Sequence, residues 1–385
     1  MNAQMNYIYN RDTRNIIVAV MFLVSVGILM VYSSTAVMSF RNSGSSAHYL
    51  MKHLFTVFVG AVVMIALSLA NYKKMKAFVY VLLVAAGILL LLVFAPGIGI
   101  SANGAQRWIR VWPSTITFQP SELVKLAMVI FLADYMDKNI HRMKDYRYGI
   151  CIPIGIMLGF QFIIIFQPDF GAVMSLSILT IVLLVLGGAR LKHIGILMLA
   201  SVPAVYLLIR FAPYRHKRIT CFLDPWQEPL GCGYQLIQSL IAFNNGKVLG
   251  VGLGSSKQKL SFLPEAHNDF IFAIIGEELG LLVSICVIGV FLWLFMKGMK
   301  VASHTEDPFS NFLALGLSTM IGIQALINFS VATGLLPTKG LPLPFISYGG
   351  SALVINMAAA GILISISRQN MPRREIALND HTRYT

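Results

Sequence analysis

Few residues in this 385-residue chain can do chemistry, and most of those lie in short polar strings between long apolar runs. Asp269 sits near the end of the string Phe262-Leu-Pro-Glu-Ala-His-Asn-Asp-Phe270, where an apolar run begins. A carboxylate in apolar surroundings has a raised pKa and can work as a general base near neutral pH. The same position also suits an Asp that caps a helix N-terminus. Lys125 lies inside an apolar run, where an ammonium costs roughly 2.5–3.5 kcal/mol to insert and must face a cavity or a partner. Glu122, three residues earlier, shares its helix face and can pair with it. Arg107, just before Trp108, is either a cation for an anionic group or half of an interfacial Arg-Trp anchor.

A second set of polar residues comes from turn-forming strings. Lys339 lies in Leu336-Pro-Thr-Lys-Gly-Leu-Pro-Leu-Pro-Phe-Ile-Ser-Tyr-Gly-Gly350. Pro337, Pro342 and Pro344 forbid a regular helix there, and irregular backbone at membrane depth survives only beside a cavity. Lys339 can bind an anion as a point charge or be a solvated loop lysine. Ser347, Gly349 and Gly350 can offer a hydroxyl and amides to an anion at a helix start, or form a tight turn. Gln119 lies in Phe118-Gln-Pro-Ser-Glu122. Asp169, in Gln167-Pro-Asp169, can help hold a metal or simply make the turn.

The elements that must carry these residues are set by composition. Apolar residues make up 57% of the chain and charged ones 12%, about half the charge of a soluble globular protein. A soluble enzyme, a disordered hub and a disulfide-rich secreted module are excluded. Ten apolar segments stand out: 15–34, 54–70, 78–94, 122–136, 149–166, 170–188, 193–210, 270–296, 311–331 and 350–367. Runs of this length read as membrane helices, since a lone strand cannot satisfy its backbone in lipid. The expected fold is an all-α polytopic membrane protein of about ten transmembrane helices, one domain over 1–385. A large extracytoplasmic loop, 211–269, separates spans seven and eight. Within it, Tyr234 to Phe243 is amphipathic and is expected to lie along the membrane surface.

Lys and Arg give the orientation. One set of alternate loops holds 17 of them and the opposite set of short loops 5. By the positive-inside rule the N-terminus (1–14) and the tail (368–385) are cytoplasmic. The net charge of +14 therefore reports topology and not a nucleic-acid partner. The four cysteines and eight histidines show no metal-ligand spacing. Whether Cys221 and Cys232, both in the outer loop, are bonded is left open. The glycines of 246–257 lack the GK[ST] ending of a phosphate loop. Glu277 and Glu278 do not share a helix face with Asp269 and are expected to contact a neighbouring helix. His267, beside Asp269, has no ligand set and reads as structural.

The strings FLPEAHNDFIFAIIGEELG (262–280) and LPTKGLPLPFISYGGSA (336–352) resemble the SEDS family of bacterial cell-wall proteins, typified by FtsW and RodA. The likeness runs from about residue 100 to 368 by motif. The LPEAH and LPTKG spellings are closer to the family's division branch than to its elongation branch. The resemblance implies a peptidoglycan glycosyltransferase that polymerises lipid II at the outer face of the cytoplasmic membrane, at the division septum, and releases undecaprenyl diphosphate. It implies a class B penicillin-binding protein with a single transmembrane helix, and other divisome proteins, as partners. The family's essential Asp falls on Asp269, whose implied role is to take the proton from the acceptor sugar's 4-hydroxyl.

A diphosphate leaves without protonation if its charge is balanced, so one carboxylate suffices where most glycoside hydrolases need two. Arg107, Lys125 and Lys339 suit that charge, with Gln119, Glu122, Ser347, Gly349 and Gly350 lining the substrate site. A divalent cation, Mg²⁺ or Mn²⁺, is expected, with Asp269 and Asp169 as candidate ligands and no organic cofactor. A lipid II flippase, an elongation polymerase and a scaffold that only docks a penicillin-binding protein are the competing readings.

Overall fold

A computed structural model describes residues 11–102, 105–110, 117–211, 213–260, 262–338 and 340–369. A helix overlies each of the ten apolar segments. In chain order these and the loop helices are α1 Arg11–Ser43, α2 His48–Leu69, α3 Met75–Leu92, α4 Pro120–Lys138, α5 Ile152–Phe166, α6 Phe170–Leu186, α7 Leu191–Arg210, α8 Pro213–Leu223, α9 Tyr234–Gly246, α10 Ile271–Ser303, α11 Pro308–Ala332 and α12 Gly350–Gln369. Seven described spans are long and apolar enough on their own to cross a membrane. Of the remaining three, α6 and α7 are apolar but have shorter apolar stretches. The third, α4, carries Glu122, Lys125, Asp134, Asp137 and Lys138.

That charged helix lies at the centre. Nearly every residue of α4 from Pro120 to Met136 is buried, and α11 and α12 are buried along most of their length. Lipid offers helices no hydrophobic drive to associate, so close contact depends on small residues. Gly361 of α12 shows this: a Cβ there would meet the Met64 carbonyl oxygen of α2 at 2.5 Å. Glu122 and Lys125 form an ion pair of 2.7 Å with both side chains 3% exposed.

Charged loops gather at one end of the bundle. Asp12 at the start of α1 pairs with Lys297 and Lys300 near the end of α10, and Lys76 pairs with Asp137. Thr13 hydrogen-bonds Ser367 across the two ends of the chain. The opposite end carries the polar strings, and here the all-α expectation is corrected. A small antiparallel sheet, β1 Gly99–Ala102, β2 Ala105–Arg110 and β3 Thr117–Phe118, caps this end in the order β1-β2-β3. Ile109 pairs with both Gly99 and Phe118.

A further feature lies within α10. The helix α10 is broken at Gly280, which takes φ 78°, ψ −176°, a region essentially reserved for glycine. The break exposes backbone groups that nothing in lipid can satisfy. The chain that follows α9 satisfies them: the amides of Val251 and Gly252 donate to the carbonyls of Glu277 and Glu278, and those of Leu281 and Leu282 donate to Lys247 and Val248. The carboxylates of Glu277 and Glu278 hold the same segment, accepting from Ser256, from the amides of residues 256–258 and from Lys259. Glu278 also accepts from Ser33 of α1 at 2.6 Å. Glu277 likewise accepts from Asn245 of α9 at 3.1 Å, so these acids contact neighbouring helices, as expected, and also anchor the segment after α9. α9 packs one face against the bundle, with Leu236, Ile237, Ser239 and Ala242 buried and Ser239 donating to the Ala332 carbonyl.

A Cβ on Gly280 would overlap the Gly250 amide. Gly280→Ala is expected to cost about 2–3 kcal/mol from strain and overlap combined. Thermal unfolding of the purified protein checks it, and an unchanged melting temperature would contradict the account.

Candidate active site

Asp269 lies one residue before Phe270, which caps α10, at the end that carries the sheet. It does not cap the helix with its side chain. Its backbone carbonyl accepts from Asn328 Nδ2 of α11 at 2.9 Å, and the same amide donates to the Leu341 carbonyl at 2.8 Å. One turn earlier, Gln324 donates to the Pro342 carbonyl. The proline-rich segment 340–347 is thus irregular, largely buried and satisfied by two amides projecting from a single helix face. It runs directly past Asp269: a Cβ on Gly340 would stand 2.8 Å from Asp269 Oδ2.

The Asp269 side chain keeps partial access to the surface, but dense packing around it dominates its electrostatics. Burial pushes its pKa up to about 8; Glu265 and Asp169 add to the rise, and Arg107 and Arg218 oppose it. Each arginine is fixed by backbone carbonyls. Arg107, on β2, donates to the carbonyls of Gln167 and Pro168. Arg218, on α8, donates to the Thr338 carbonyl at 3.1 Å. A guanidinium has five donors, so Arg107 and Arg218 can each contact an anion while keeping these bonds. Beside Arg218 opens a cavity of about 280 Å³, lined in part by Lys217, Tyr234, Gln235 and Pro264. Cys221 and Cys232 are disulfide-bonded at its edge, tying α8 to the chain before α9.

The other predicted residues divide. Gln119 donates to Asp169 Oδ2 at 3.0 Å, and its amide nitrogen donates to Ser351 Oγ. Asp169 uses its second oxygen to cap α6, accepting from the Ala172 amide. Ser347 has its hydroxyl engaged on both sides, donating to the Asn268 carbonyl and accepting from the Leu343 amide. It braces the backbone at Asn268 against that at Leu343. Gly349 packs against Pro342, and Gly350 is exposed at the start of α12. Glu122 and Lys125 pair with one another in the interior through one bond, Lys125 Nζ donating to Glu122 Oε1. Lys339 lies outside the described residues.

Each oxygen of Asp169 thus already accepts one hydrogen bond. The one cluster of metal-ligating side chains among the described residues is Cys221, Glu228 and Cys232, and its two sulfurs are bonded. Among the described residues, no group of three metal-ligating side chains includes Asp269 or Asp169. Gln324, Asn328, Gly340 and Arg218 went unnoticed in the sequence. Two amide side chains four apart in an apolar span were the available signal for the first pair.

Comparison with known proteins places this geometry in a family. A family model described as cell cycle protein, covering FtsW, RodA and SpoVE, matches residues 13–371. The chain belongs to that family. A protein of Geobacter metallireducens called probable peptidoglycan glycosyltransferase FtsW is 41% identical over 345 residues, 90% of this chain and 92% of the relative. Stage V sporulation protein E of Bacillus subtilis is 38% identical over 353 residues, 92% and 96% of the two chains. Among solved structures, a chain of a peptidoglycan synthase complex that coordinates polymerization and crosslinking superposes with a TM-score of 0.74 at 24% identity, covering 92% of this chain and 97% of that one. Rod shape determining protein RodA of Thermus thermophilus gives 0.67 at 22%, covering 93% and 97%. These likenesses carry the fold. Family and apolar helices together make the chain a multi-pass bacterial membrane protein.

Proposed function

We propose that this chain is a peptidoglycan glycosyltransferase that polymerises lipid II at the outer face of the cytoplasmic membrane. Both termini are cytoplasmic, and the division septum is its place of work. The observation that carries the reading is Asp269: a carboxylate with a raised pKa, beside two anchored arginines, at the end of the bundle opposite the Asp12–Lys297 and Lys76–Asp137 pairs. In this reading Asp269 takes the proton from the acceptor's 4-hydroxyl as that oxygen attacks the donor's anomeric carbon. The bond from that carbon to the diphosphate breaks, and the electron pair leaves with undecaprenyl diphosphate, which needs no proton.

Arg107 and Arg218 face the charge that develops on the leaving group. A divalent cation supports this reading best as a passenger on the substrate, since Mg²⁺ binds chiefly through phosphates and water. A class B penicillin-binding protein with one membrane helix, in the company of other divisome proteins, would crosslink the product.

The test is the pH profile of lipid II turnover by the purified protein. The base works ionised, and its pKa is raised, so kcat/KM is expected to rise about tenfold per pH unit up to about pH 8 and then level. A profile flat from pH 6 to 9 with chemistry rate-limiting would contradict the assignment.

A further inference from the structure

Three distant stretches of chain bring aromatic rings into one row beside the base. Tyr348 stands at its centre, with ring centroids 5.7 Å from His267, 5.8 Å from Tyr49 and 6.0 Å from His53; His48 continues the row 5.8 Å beyond Tyr49. Tyr49, His267 and Tyr348 are half-buried and His48 is exposed, so ring surface remains open. The row is tied to the catalytic strings by backbone. The Tyr348 amide donates to the His267 carbonyl at 3.0 Å, and Ser347 donates to the Asn268 carbonyl at 2.6 Å. Asp269 follows Asn268 directly.

We propose that this row is a pyranose-binding subsite that seats a sugar ring of the acceptor glycan next to Asp269. The proposal rests on the glycosyltransferase reading and extends it to a specific surface. A pyranose has an apolar C–H face and a rim of hydroxyls, and Tyr and His present an apolar ring with a polar tip. Such side chains supply contact area at low entropic cost. Because the rings and the base share one hydrogen-bonded segment, a sugar seated there keeps a fixed register to the carboxylate, which is what a positioning subsite contributes to rate. Burial holds the His267 ring below its usual pKa against the opposing pull of Glu265, so it meets a neutral sugar as a neutral ring. Aromatic rings at a membrane edge otherwise serve as lipid anchors. Here they contact one another across α2, the 262–270 string and the 336–349 string, and lead to the base.

The experiment titrates the full-length protein in nanodiscs with a soluble β-1,4-linked N-acetylglucosamine tetramer, read by saturation-transfer NMR. Wild type, Asp269→Asn and Tyr348→Phe are expected to bind the tetramer alike. Tyr348→Leu and the more peripheral Tyr49→Leu are expected to bind at least tenfold more weakly. With lipid II, both leucine variants are expected to raise KM more than they lower kcat and to yield shorter strands, with Tyr348→Phe restoring both. Tyr49→Leu keeps the test open if Tyr348→Leu does not fold. Equal tetramer binding by the folded leucine variants, or no binding by wild type, overturns the subsite. So does a leucine variant that loses only its retention in lipid, which makes the row an anchor. Tetramer binding that depends on Tyr348 in a protein that makes no polymer leaves the subsite standing and removes the glycosyltransferase reading instead.

Discussion

Asp269→Asn is expected to lower glycan polymerisation by a factor of about 10²–10⁴, the usual contribution of a positioned general base, while the protein remains folded. The structure explains why both halves of that result belong together. The Asp269 backbone carbonyl, not its carboxylate, carries the bond to Asn328 that locks the string to α11. Asn keeps the backbone and the shape, and removes only the ionisable oxygen. Stability has a definite sign. A carboxylate whose pKa is raised to about 8 in the fold favours the folded state when protonated and opposes it when ionised, so its stabilising effect is lost as pH rises through about 8. Asp269→Asn mimics the protonated form and is expected to melt no lower than wild type at pH 8 or above. Thermal melts and polymer assays on one preparation check both points. A folded Asn variant that still polymerises at the wild-type rate would remove Asp269 as the base.

The second large effect concerns the buried pair in α4. Lys125→Met leaves Glu122 as an uncompensated charge in the interior, a change that costs about 3–5 kcal/mol. Glu122 already has one carboxylate oxygen without a hydrogen-bond partner in the described structure, so losing Lys125 would remove the one side-chain partner shown for its carboxylate. The single variant is expected to yield little folded protein. Glu122→Gln combined with Lys125→Met removes both charges at similar volume and is expected to recover most of the stability. Yields after size-exclusion chromatography, followed by melts, measure the coupling. If the double variant melts no higher than the single, the pair is not a mutual structural unit. A double variant that is folded and polymerises at the wild-type rate places both residues outside substrate binding.

The bundle was legible because lipid imposes it: apolar runs near the length of a bilayer crossing have one way to satisfy their backbone. Each of the ten runs is overlain by a helix, and the pairing of Asp12 with Lys297 and of Lys76 with Asp137 gathers the lysine-rich loops at one end. Asp269 stood out as a carboxylate beside an apolar run, and its burial and raised pKa accord with that position. The break at Gly280 was not legible. FAIIGEELGLLVSICV continues as a helical pattern through it, and the groups that satisfy the break come from Lys247 to Gly252, some thirty residues earlier. That exchange is tertiary, and no local periodicity reports it. The hydrogen-bond partners of Ser347 and Asp169 were not legible, for the same reason. A hydroxyl or carboxylate in a turn looks available until its partners, here Asn268, Gln119 and the start of α6, are folded onto it. The sheet was half legible: Ala105 to Arg110 mixes β-favouring residues with arginine, but the strands are too short to stand out beside apolar helices.

The most direct test of the central claim reconstitutes the wild-type protein in vesicles with fluorescent lipid II on one leaflet, with and without the penicillin-binding partner. It measures two products at once: polymer length on gels, and lipid II that has crossed the bilayer. The account predicts long glycan strands, made only when lipid II and the Asp269 end of the bundle share a leaflet, with no acceleration of crossing. Accelerated crossing with no polymer in either arrangement would contradict it and make this chain a lipid II flippase.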